Sequence, residues 1–155
     1  MERYVVNVDS AVGPWGVEGT KDAITAIFQP HELRRESEGP IPRVVSSAAK
    51  QLEEYFSGTR RSFNVPLADV KSTDFQRDVW AALVEIPYGE VRTYGEVAVS
   101  VERPRASRAV GNANHVNPYP IVVPCHRVVA STGLGGYGGS EGVKRYLLKI
   151  EGVQY

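Results

Sequence analysis

The chain has 155 residues, 42% of them hydrophobic and 23% charged, with 18 basic side chains balancing 18 acidic ones and a single cysteine. That length suits one domain, or one with a small companion, and is enough to bury a core without staples. One cysteine excludes a disulfide scaffold or a cysteine-rich zinc site, and zero net charge argues against a generally polybasic nucleic-acid binder. No apolar stretch approaches the roughly 18 residues of a membrane helix, and Met1-Glu2-Arg3 leads into strand-like residues rather than a signal peptide. A cytoplasmic protein without a membrane partner is expected.

Residues 1–70 read as a small α+β unit with a supporting role. Tyr4-Val5-Val6-Asn7-Val8 and Ala23-Ile24-Thr25-Ala26-Ile27-Phe28 are strand-like, with Gly13-Pro14 and Gly16 punctuating the stretch between them. Val44, Val45, Ala48, Leu52, Tyr55 and Phe56 recur at helical spacing until Gly58 stops them. Residues 59–72, with Pro66 and several polar side chains, read as a linker.

Residues 71–155 are mainly helical. Thr73-Asp74-Phe75-Gln76 is a capping box ahead of an apolar stripe of Phe75, Val79, Trp80 and Leu83, and Ile86-Pro87-Tyr88-Gly89 breaks that helix. Thr93-Tyr94-Gly95-Glu96 is a second box opening a short helix through Val99, and Pro104 sits where a third helix can begin. Two short helices, a turn and a third helix suggest a helix-turn-helix, a pattern that many domains share without touching DNA. Charge sharpens it. Residues 103–140 hold Arg103, Arg105, Arg108 and Arg127 and no acid, while Ala106, Ser107, Ala109, Gly111 and Ala113 are small enough for close approach to a nucleic acid. If those four arginines neutralise four phosphates, DNA affinity falls with salt at a log–log slope of about −4.

Ile121-Val122-Val123-Pro124-Cys125-His126-Arg127-Val128-Val129 is a β-branched run interrupted by chemically capable side chains. A lone cysteine in such a run is most often an inert buried thiol. The adjacent histidine argues otherwise, because a thiolate is the reactive form and a neighbouring imidazole favours it. In an extended segment, however, adjacent side chains point to opposite faces, so a direct Cys125–His126 pair needs a turn or a bridging water.

Pro124-Cys125-His126-Arg127-Val128-Val129 resembles the active-site signature of the O6-alkylguanine-DNA alkyltransferases, the methylated-DNA–protein-cysteine methyltransferases. Phe75-Gln76-Arg77-Asp78-Val79-Trp80, Ile86-Pro87-Tyr88-Gly89-Glu90-Val91 and Thr93-Tyr94 resemble the family's opening helices. Arg108-Ala109-Val110-Gly111 resembles its recognition helix, Asn117-Pro118 and Pro120 precede the cysteine as in the family, and Gly136-Tyr137-Gly138-Gly139 resembles its active-site loop. The match runs in order from about 73 to 152.

The resemblance implies direct-reversal repair of double-stranded DNA. The damaged nucleotide is flipped out, and the alkyl group on O6 of guanine, or on O4 of thymine, passes irreversibly to Cys125. It implies that His126 deprotonates Cys125 through a water, that Glu151 orients His126, and that Asn117 braces the turn. Arg108 would enter the base stack, with Ser107, Ala109 and Gly111 beside it on the DNA face. Tyr94 would rotate the flanking phosphate and offer its hydroxyl to the guanine. Pro120 and Tyr137 would wall the pocket, the Val128 carbonyl would accept from the base, and the Gly138 N–H would donate to O6. No cofactor or metal is implied, and a monomer is expected. The alternative within the same fold is a lesion-binding protein that transfers nothing, but that class carries tryptophan where this chain has Cys125. A plain DNA-binding module and a thiol hydrolase are more distant rivals.

Overall fold

The computed structural model describes residues 1–136 and 141–155, which divide into two compact units, Met1–Val70 and Lys71–Tyr155. In the first unit, strands β1 (Tyr4–Val8), β2 (Trp15–Gly19) and β3 (Ile24–Phe28) form an antiparallel sheet in that order. Helix α1 (Arg43–Phe56) covers it. Val45, Ala48, Ala49, Leu52 and Tyr55 form the helix's buried stripe, at the i, i+3, i+4, i+7 spacing that keeps one face apolar. They meet Val5, Val8, Trp15, Val17, Ile24 and Ile27 from the sheet in an apolar core, with Gln51 the one buried polar side chain of the helix.

Two sequence expectations change here. The stretch between the first two strand-like segments is itself the central strand, β2. Its glycines disguise it, yet packing explains them: a Cβ at Gly19 would lie 2.7 Å from the Ala23 carbonyl oxygen, and one at Gly16 3.2 Å from the Phe28 ring. Nor is 59–72 wholly a linker. Ile24 N–H donates to the Pro66 carbonyl and Ala68 N–H to the Ile24 carbonyl, both at 2.8 Å, so this segment pairs with the free edge of β3.

The second unit contains α2 (Asp74–Val84), β4 (Arg92–Thr93), α3 (Tyr94–Ser100), α4 (Ser107–His115), β5 (Val128–Val129) and α5 (Glu141–Ile150). Both capping boxes form as the sequence predicts, Thr73 with Gln76 and Thr93 with Glu96. The Trp80 indole N–H donates to the Ala113 carbonyl at 2.9 Å and ties α2 to α4. Helix α4 starts three residues after Pro104, because Arg103 and Ala106 N–H groups are used in the turn, on the Ala98 and Arg103 carbonyls. Strands β4 and β5 pair in parallel, Arg92 with Val128 and Thr93 with Val129. That pairing sets the start of α3 beside the cysteine segment, and Val129 joins Leu134 and Leu148 in a buried cluster against which Val91 and Val153 pack. The architecture is α+β, as expected. No helix among the described residues is long and apolar enough to cross a membrane.

Candidate active site

The cysteine segment is not extended as its β-branched composition suggests. Cys125–Arg127 is a turn of 3-10 helix, closed by Arg127 N–H on the Pro124 carbonyl and Val128 N–H on the Cys125 carbonyl, and entered through Cys125 N–H on the Val123 carbonyl. The alternation that would send Cys125 and His126 to opposite faces therefore does not apply. Upstream, Asn117 clamps the approach: its Oδ1 accepts from Tyr119 N–H at 2.9 Å and its Nδ2 donates to the Val123 carbonyl at 2.8 Å. Val123 N–H reaches back to the Tyr119 carbonyl, and between them Ile121 has φ 76° with its side chain 1% exposed. A buried β-branched residue in the left-handed region is strained by about 1–3 kcal/mol.

Glu151, just past α5, organises the other side of the turn. Its Oε2 accepts from His126 Nε2 at 2.6 Å and from Arg127 Nη2 at 3.2 Å. Its Oε1 accepts from Arg127 Nε at 2.8 Å and from Gly89 N–H at 3.0 Å. Arg127 also donates to the Ile86 carbonyl at 2.7 Å, and the Tyr88 hydroxyl donates to the Ile150 carbonyl at 3.1 Å. Every side chain in this ion-pair network is buried. Burial pulls the His126 imidazole below its usual value, against the hydrogen bond and charge of Glu151. The neutral ring donates from Nε2 to the carboxylate, so Nδ1 carries the lone pair that can accept a proton. The Glu151 contact thus favours the tautomer with Nδ1 as the ring's acceptor.

Cys125 is buried and opens on a cavity of about 470 Å³ lined by Tyr94, Gly111, Asn112, Asn114, His115 and Gly136. Above it the Tyr94 hydroxyl donates to the Gly136 carbonyl at 3.2 Å. Burial first, then the charge of Cys125, raises the tyrosine's pKa. The fully buried Lys144 donates to the Val128 carbonyl at 2.5 Å and to the Gly136 carbonyl at 2.9 Å, with its ammonium 5.7 Å from the Tyr94 ring centre. Burial depresses its pKa to about 8.

The sequence-selected residues are therefore distributed as follows. Cys125, Tyr94 and Gly111 line one cavity, while His126 and Glu151 are hydrogen-bonded in the layer behind the cysteine. Asn117 braces the turn, and Val128 and Pro120 are buried beside it. Arg108 is exposed on α4, with Ser107 and Ala109 half-buried next to it. Tyr137 and Gly138 lie outside the described residues. One charge moves from the surface to the interior: Arg127, counted with the basic window, is 6% exposed and bound to Glu151, leaving three exposed arginines there. Sequence reasoning missed Lys144, Gly89 and the structural duty of Arg127. His115, not singled out from the sequence, also lines the cysteine's cavity. An apolar helix face carrying one lysine between Val143 and Leu147 was the available signal for Lys144.

The family model for the DNA-binding domain of 6-O-methylguanine DNA methyltransferase matches residues 74–153. A Mycobacterium tuberculosis protein named methylated-DNA–protein-cysteine methyltransferase is 46% identical over 93% of this chain and 89% of its own length. The constitutive Bacillus subtilis protein of the same name is 40% identical over 99% and 98%. The crystal structure of M. tuberculosis OGT in complex with DNA superimposes with a TM-score of 0.83 at 45% identity, covering 94% of this chain and 90% of that one.

Proposed function

The chain belongs to the 6-O-methylguanine DNA methyltransferase family, and we propose that it repairs duplex DNA by moving the alkyl group of O6-alkylguanine irreversibly onto Cys125. The observation that carries this reading is the thiol at the head of a 3-10 turn, opening on a cavity and backed by a neutral, tautomer-locked imidazole. His126 Nδ1 takes the thiol proton through a water. The Cys125 sulfur then attacks the alkyl carbon, the S–C bond forms as the C–O6 bond breaks, and the electron pair leaves on guanine. The guanine takes up a proton at its ring, with the Tyr94 hydroxyl in reach. The thioether has no good leaving group, so each molecule acts once.

The lesion must leave the stack to reach Cys125, at a cost of a few kcal/mol. Arg108, exposed on α4, fills the vacated space, and Ser107, Ala109 and Gly111 allow the backbone close to the DNA. In this reading the Val128 carbonyl and Pro120 meet the base, with Tyr137 and Gly138 completing the pocket by analogy with the family. Residues 71–155 bind DNA and carry out the transfer, residues 1–70 support them, and the protein works as a monomer in the prokaryotic cytosol. With Arg127 committed to Glu151, the expected log–log salt slope falls to about −3.

Mass spectrometry after mixing with a duplex containing O6-methylguanine tests the reading. The Cys125 peptide gains one methylene, and Cys125→Ser gains nothing. Unchanged wild-type mass with retained lesion binding would move the protein to the non-transferring class. Arg108→Ala slows reaction with the duplex by about 10²-fold, the equivalent of a few kcal/mol of flipping cost, and leaves reaction with free O6-benzylguanine near wild type. Equal losses on both substrates would remove Arg108 from the flipping step.

A further inference from the structure

The turn that delivers Cys125 holds its one left-handed β-branched residue, Ile121, under constraint from every side. Pro120 fixes its own φ and biases Tyr119 towards extended backbone, and Pro124 does the same for Val123. Asn117 grips Tyr119 N–H and the Val123 carbonyl, the two ends of the turn. Val123 N–H closes it on the Tyr119 carbonyl, and Cys125 N–H then hangs on the Val123 carbonyl, each at 2.8 Å. Tyr119, Ile121 and Val123 are all buried. Glycine would meet this backbone without strain. The chain instead places a wedge there whose side chain is locked in the core.

We infer that Ile121 is a positioning residue for the transfer: its strained backbone and buried side chain together fix the turn that aims the Cys125 sulfur. Strain of this kind persists only where the surroundings over-determine it, and here they converge on the amide of the nucleophile itself. A flexible residue would relieve the backbone and release the aim. Misplacement of about 1 Å costs a reacting group on the order of 10²-fold in rate, so the effect falls on the transfer step rather than on binding. The inference rests on the reading of Cys125 as the alkyl acceptor.

Three variants test it: Ile121→Val, Ile121→Ala and Ile121→Gly. Each is assayed for thermal midpoint and for reaction with free O6-benzylguanine, resolved into a binding constant and a saturating rate constant. Ile121→Val keeps wedge and strain and reacts as wild type. Ile121→Ala and Ile121→Gly lose the same packing beyond Cβ, but only glycine sheds the strain, which outweighs the one further buried methyl, so the glycine variant melts at or above the alanine variant. Its saturating rate nevertheless drops about tenfold or more, with the binding constant unchanged. A glycine variant that melts below the alanine variant overturns the strain, and one that transfers at the wild-type rate overturns the positioning role. A loss confined to the binding constant also overturns it. Wild-type protein that gains no alkyl mass defeats the proposed function instead, and the order of melting still decides the strain.

Discussion

The two units of this protein treat buried polarity in opposite ways. Among the described residues, the first unit buries only neutral polar side chains, Thr20, Gln29 and Gln51. The second buries His126, Arg127, Lys144 and Glu151, four ionisable groups near one cysteine. Each buried ion costs several kcal/mol unless it is paired and hydrogen-bonded. The second unit meets that cost with an Arg127–Glu151 fork, a carboxylate accepting four hydrogen bonds, and a lysine donating to two carbonyls. An interior of neutral side chains needs no charge pairing; one that holds an imidazole, a guanidinium and a carboxylate together does.

Glu151→Gln should press this contrast hardest. It leaves the Arg127 guanidinium buried without its counter-charge, which is worth about 3–5 kcal/mol of stability. It also loosens the tautomer of His126, so alkyl transfer should slow about 10²-fold or more, in line with the worth of a positioned general base. Thermal melting and single-turnover kinetics read the two effects. A stable, fully active variant would show the network to be ornamental. Leu52→Ala, in the apolar core beneath α1, is the counterpart: it should cost about 2–5 kcal/mol while each folded molecule still transfers at the wild-type rate. A matching fall in that rate would end the division of labour between the units.

Lys144 gives the contrast a pH dependence. Its folded pKa of about 8 lies below the usual 10.5. Above pH 8 the unfolded chain therefore holds a proton that the folded chain has released, and stability rises with pH through that window. Wild type should gain on Lys144→Met by about 1 kcal/mol per pH unit between pH 8 and 10, followed by chemical denaturation at each pH. Parallel curves would show that the ammonium is not desolvated in the folded state. Thr73→Ala should do least, losing about 1 kcal/mol with its capping box and leaving transfer untouched.

What the sequence made legible was local. The boxes at Thr73 and Thr93 need partners only three residues away, and both formed. The α1 stripe and the helical character of the second unit rest on spacing within one element. The cysteine motif was legible because its residue types are unusual together. Strand β2 was not, because Gly16 and Gly19 are strand residues only by virtue of what packs against them. The 3-10 turn at Cys125 was hidden in β-branched residues whose propensity the flanking Pro124 and the Asn117 clamp override. Arg127 read as a surface cation because its partner is 24 residues further on.

Those separations carry a kinetic meaning. The contacts that set His126 join residues 25 apart, and the ones that seat Glu151 and Ile150 against Gly89 and Tyr88 span 62. Closing loops of that length costs chain entropy that a local helix does not pay, and reliance on such contacts slows folding. The setting of the nucleophile therefore depends on contacts distant in the chain. A chain lacking those contacts would hold Cys125 without the Glu151-bound imidazole behind it, so the proposed transfer requires the second unit to be completely folded.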